Sequence, residues 1–100
     1  MSTTDVKLDE KIKIRVEEPK RWKVILLNDD STPMDFVISM LMEVFKHSVD
    51  TAKEVMLEVH ETGSGIAGIY SFEIAEAKAV ETTNQARTNG HPLQIKLEEE

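Results

Sequence analysis

Residues 22–45, WKVILLNDDSTPMDFVISMLMEVF, run an apolar stretch, a knot of amide and carboxylate side chains and an amphipathic stripe in immediate succession. WKVILL is rich in β-branched residues, too short for a helix and closed by turn formers, which predicts a buried strand. Thr32 then stands as a helix cap, Pro33 at the first helical position, and Asp35 three residues after the cap, near the positive end of the dipole. Phe36, Val37, Met40, Leu41, Val44 and Phe45 share one face of the helix that follows. A strand that turns so tightly into a helix sets the first unit of the fold.

Reading downstream, Ser48 with Asp50 opens a second helix whose stripe is Ala52, Val55, Met56 and Val59, and Gly63 is placed to stop it. IAGIYSF is short enough to be a strand. Ser71 can then cap a third helix that ends at Asn89, Gly90 and Pro92, and LQIKLEEE alternates as a strand with one exposed face. Three strands are too few to be covered on both faces. The expected fold is therefore α+β: a two-layer β-α-α-β-α-β arrangement, with a small three-stranded antiparallel sheet and three helices packed on one side. Upstream, residues 1–21 are polar and dense in mixed charge, and are expected to be a flexible extension before a folded domain at 22–100. Within them Ile12, Ile14 and Val16 alternate with cations, a pattern that can become a strand against a partner.

Composition narrows the function. The chain has 100 residues, 40% hydrophobic but only 5% aromatic, so its core rests on Val, Ile, Leu and Met. With no cysteine there is no disulfide, thiolate nucleophile or Cys-ligated metal. The formal charge is −7, which disfavours nucleic acid as a partner. No apolar run approaches the roughly 20 residues of a membrane helix, and the first residues lack a signal peptide's apolar core. A cytoplasmic monomer without cofactor is the expectation.

Asn28, Asp29 and Asp30 place three acceptor-rich side chains at the strand-to-helix junction. One would serve an ordinary turn; three, followed by a separate cap, leave turn and function equally open. His60 ends the second helix, where a histidine ordinarily complements the dipole. If the helix hairpin returns the chain towards its start, Asn28, Asp30 and His60 meet around one mouth. Met40 and Met42 read as core fillers, whereas Met34, in the first turn beside the acidic loop, is placed to line a pocket rim. His47 and His91 fall in turns and are assigned solvent or local backbone roles. No HxH, HxxxH or EF-hand spacing supports a metal, and no nucleophile elbow supports an enzyme.

VILLNDDSTPMDFV, MLEVH, GIAGIYSFEIAEAKA and NGHPL, in that order and spacing, resemble the ClpS adaptors, which bind proteins by their N-terminal residue (the N-degron of the N-end rule) and hand them to a ClpA-type AAA+ unfoldase for protein degradation. The resemblance covers about residues 22–98. It implies that Asn28, Asp30 and His60 hold the substrate's α-amino group, with Asp29 helping to fix the first peptide unit. It implies a side-chain pocket lined by Leu27, Thr32, Met34, Val37, Met56, Val59 and Leu93, in which Met34 guards against β-branched side chains. Glu73 and Lys78 fall where the family docks on the unfoldase, and the N-terminal extension matches the segment used in delivery. Ser31 stands where many members have an aromatic residue, and Ala67 replaces a frequent Cys.

The chemistry suits such a reader. A free α-amine has a pKa of about 7.7 to 8.0 and is mostly a three-proton donor at neutral pH. An Asn carbonyl, a carboxylate and a neutral imidazole nitrogen all accept. An internal peptide nitrogen carries one proton, and leaving a buried acceptor unpaired costs about 1 to 3 kcal/mol. Two other readings remain at this point: a small interaction domain similar in topology to a ribosomal stalk protein's C-terminal domain, and a metal-dependent hydrolase using Asp29, Asp30 and His60.

Overall fold

The computed structural model describes residues 19–100. Residues 1–18, which carry most of the expected extension and the alternation of Ile12, Ile14 and Val16, lie outside the described residues. In β1 (Arg21–Leu27) Val24 and Leu26 are fully buried while Lys23 and Ile25, at the alternate positions, are partly covered, because successive strand side chains point to opposite faces. Antiparallel β2 (Ser64–Ser71) and β3 (Gln94–Glu99) flank it, in the order β2-β1-β3.

The buried face meets α1 (Met34–Glu43), α2 (Val49–Thr62) and α3 (Phe72–Thr88), and Val24 and Leu26 join Val37, Met40, Leu41, Ala52, Met56, Val59, Ala75, Ala86 and Leu93 in one core. On the other face Glu98 pairs with Lys23 and Lys96, each at 3.4 Å. The result is the expected α+β order, and it follows from one alternating strand. The strand begins at Arg21, one residue before the expected domain start.

Two helix starts differ from expectation. Pro33 (φ −64°, ψ 145°) flanks α1 instead of occupying its first position, and the helix begins at Met34. Thr32 does not cap it, because its hydroxyl donates to Asp29 Oδ2 at 2.7 Å; a carboxylate is the stronger acceptor, and a residue before proline is held out of the helical region. Ser71 flanks α3 as expected, but its hydroxyl makes no capping bond. Ser48 does cap α2, accepting from the Thr51 N–H at 3.2 Å.

At the far end of α1, Lys46 takes φ 62° and the His47 N–H reaches back to Leu41 O at 3.1 Å, which closes the helix with a left-handed residue. Lys78 Nζ on α3 donates to Val44 O at 2.7 Å, its charge opposing the helix's negative end. The ammonium lies 5.3 Å from the Tyr70 ring centroid and 5.9 Å from that of Phe45. A bulge in β2 leaves Ala67 without a partner residue on β1. Its carbonyl accepts from His47 Nε2, so His47 links the turn after α1 to β2 instead of facing solvent.

Candidate functional site

The site begins where β1 ends. The Asn28 N–H donates to Gly63 O at 2.9 Å, and Gly63, at φ 96°, is the left-handed residue that ends α2. One hydrogen bond thus ties the end of the first strand to the end of the second helix and brings the acidic loop beside His60. Two residues on, Gly65 is buried beneath α2, and a Cβ there would stand 2.8 Å from Val59 Cγ2. The missing side chain lets the helix lie close to β2.

The three polar residues of the junction divide into two kinds. Asp29 is engaged by its own turn: Oδ1 accepts the N–H groups of Ser31 (2.8 Å) and Thr32 (2.7 Å), and Oδ2 accepts the Thr32 hydroxyl. Partial burial pushes its pKa up, but the Thr32 hydroxyl, the Thr32 and Ser31 amides and the His91 charge outweigh that and hold the carboxyl below its ordinary value. Asn28 and Asp30 differ. No described residue hydrogen-bonds to or ion-pairs with the side chains of Asn28, Asp30 or His60. Among the described residues their acceptor atoms are unengaged.

These three surround a cavity of about 230 Å³ lined also by Asp29, Thr32, Met34, Val37, Met56 and Val59. A small void of about 20 Å³ adjoins it, bounded by Leu27, Asn28, Asp29, Thr32, Val37, Val59 and Leu93. The structure therefore brings together all eleven residues expected at the substrate site. Met34 is 44% exposed, at the rim, whereas Leu93 is 1% exposed, at the floor. The floor is apolar and the mouth is ringed by acceptors. Among the described residues no three His, Asp or Glu side chains converge to hold a metal.

Two residues expected at a partner surface lie elsewhere. Glu73 is exposed in the first turn of α3. Lys78 is half-buried, with its ammonium turned inward to Val44 O.

Some supporting residues escaped the sequence reading. Arg87 Nη1 donates to His91 O (2.9 Å) and Leu93 O (2.8 Å), fixing the loop that carries Leu93 under the cavity. His91 is half-buried and meets the Phe36 ring edge-on at 4.7 Å, so it is no solvent histidine. Arg87 announced itself only as a cation in the last turn of a helix, the ordinary complement to the dipole. Gly63 read as a helix stop, and nothing local indicates that its carbonyl would hold Asn28.

A family model described as ATP-dependent Clp protease adaptor protein ClpS matches residues 17–96. Relatives described as the ATP-dependent Clp protease adapter protein ClpS cover most of the chain. That of Campylobacter jejuni is 51% identical over 86 residues, 86% of this chain and 90% of its own. That of Sodalis glossinidius is 48% identical over 90 residues, 90% of this chain and 85% of its own. Among solved structures, Agrobacterium tumefaciens ClpS2 bound to L-phenylalaninamide is similar with a TM-score of 0.80 at 43% identity, covering 83% of this chain and 100% of that one.

Proposed function

The chain belongs to the ClpS family of ATP-dependent Clp protease adaptors, and on that premise we propose that it captures proteins by a free N-terminal Leu, Phe, Tyr or Trp and delivers them to a ClpA-type AAA+ unfoldase. The observation that carries the reading is the set of acceptors that no described residue engages, Asn28, Asp30 and His60, at the mouth of a cavity whose floor is apolar. An α-ammonium offers three protons to three acceptors, and the adjoining side chain fills the cavity. The ligand of the Agrobacterium relative, L-phenylalaninamide, has both parts, a free amine and an aromatic side chain.

The two contributions separate by chemistry. Burying a Leu or Phe side chain contributes roughly 1.5 to 3 kcal/mol whatever its place in a chain. A terminus offers these acceptors a charge and three protons where an internal peptide nitrogen offers one proton and no charge, so they select the end and the cavity selects the residue. His60 accepts as the neutral imidazole; protonation adds a donor and a repelling charge. Asp29 acts chiefly by holding the turn that presents its two neighbours, with its remaining lone pairs facing the first peptide unit.

For the partner, Glu73 on the exposed start of α3 offers a direct contact. Lys78 contributes to that face while its ammonium holds the end of α1. The reading is tested with a fluorescent peptide beginning with free Leu and its N-acetylated form. Binding of the first alone is expected; equal affinity, or none, would reject it.

A further inference from the structure

On the side of α3 away from α1, Val80 is 53% exposed and forms with Ala79, Ile95 and Leu97 the floor of a groove of about 290 Å³. It continues along α3 past Glu73, Glu76 and Glu81. Among the described residues no Lys or Arg lines either stretch. β3 borders the groove and is an edge of the sheet among the described strands, so its outer backbone groups are open to an extended segment. The groove asks for an occupant that is apolar on one side, cationic on the other, and extended.

The sequence holds such a segment. Residues 11–16, KIKIRV, alternate Lys11, Lys13 and Arg15 with Ile12, Ile14 and Val16, and contain no acid. Where the chain enters the described body also fits. Lys20 Nζ pairs with Glu99 Oε2 at 3.3 Å, at the end of β3. From there Leu97 is two strand residues away, about 7 Å, and the intervening residues 17–20 span up to about 14 Å.

We propose that residues 11–16 dock in cis along the α3–β3 groove, with Ile12, Ile14 and Val16 on Val80, Ile95 and Leu97 and the cations reaching the Glu76 and Glu81 carboxylates. Long basic stems cover apolar surface while their heads find the carboxylates at the rim. The segment also shields the open edge of β3. This docking is independent of the amine site.

Because the chain has no cysteine, Lys13→Cys gives a single attachment point for a nitroxide. In the full-length, isotope-labelled chain, loss of amide signal is expected at Val80, Thr83 and Leu97, with Thr51 and Glu54 on α2 unaffected. Adding Ile14→Asp should restore the lost signals. So should salt on the order of 0.5 M in part, where the Debye length falls to a few ångströms. Uniform loss, or none, would overturn the proposal. Loss at the same amides when nitroxide chains are mixed with nitroxide-free labelled chains would assign the groove to a second copy, and would equally overturn docking in cis.

Discussion

The two turns that flank α1 are built on opposite plans. At its C-terminal side three polar side chains are engaged within the fold: Lys78 holds Val44 O, His47 holds Ala67 O, and Ser48 caps α2. At its N-terminal side Asp29 alone does comparable work, while Asn28 and Asp30 stand beside His60 with acceptors that no described residue engages. A buried polar group needs a partner, whereas Asn28, Asp30 and His60 are exposed and need none for the fold. Where the pairing is complete the residues serve the fold, and the acceptors left over at the cavity mouth are the ones we propose for the substrate's ammonium.

The sharpest way to break this contrast is to mutate one residue on each side. Asp30→Ala is expected to weaken binding of a Leu-initiated peptide on the order of ten- to a hundredfold, the worth of a hydrogen bond to a charged group, with the denaturation midpoint unchanged. Lys78→Ala is expected to lower stability by about 1 to 3 kcal/mol in urea titration, with peptide affinity unchanged. An Asp30 variant that unfolds more easily, or a Lys78 variant that loses the peptide, would erase the distinction.

Met34 sharpens the contrast at the rim. Met34→Ala should bring an Ile-initiated peptide up by about tenfold, close to 1.4 kcal/mol, while leaving Leu little changed. Unchanged rejection of Ile would remove Met34 as the gate.

Asp29 is the intermediate case, and pH separates its role. Its folded carboxyl lies below the ordinary value, so its stabilising effect is present above the unfolded carboxyl value of about 3.9 and fades as pH falls through the lower folded one. The stability gap between the native chain and Asp29→Asn should be flat from about pH 5 to 8 and narrow below about pH 4. A gap that persists unchanged into acid would mean that the charge contributes nothing.

The smallest expected effect belongs to the C-terminal turn. Lys46 occupies the left-handed region at φ 62°, where glycine is less strained, so Lys46→Gly should raise stability by about 0.5 to 1 kcal/mol without altering binding.

The sequence made the layering legible because Val24 and Leu26 alternate in β1 and the helix stripes run at their own period. It also presented the acceptors, since Asn28, Asp29 and Asp30 are more than one turn requires. Their division of labour was not legible: adjacent carboxylates look alike until Thr32 turns its hydroxyl to one of them. The start of α1 was misplaced for the same reason, because the Thr32 hydroxyl's choice between a backbone amide and a carboxylate is settled in three dimensions. The supports furthest from view were Gly63 O on Asn28 and Arg87 on Leu93, contacts with no periodicity to announce them.

Asn28, Asp30 and His60 are proposed to read the substrate's ammonium. Affinities of a free Leu-initiated peptide and its N-acetylated form should be measured for the native chain and for the Asp30→Ala/His60→Ala double variant. Native discrimination of about a hundredfold or more is predicted, from two or more lost charge-assisted bonds, and most of it should vanish in the variant. A variant that discriminates as well as the native chain would contradict the claim.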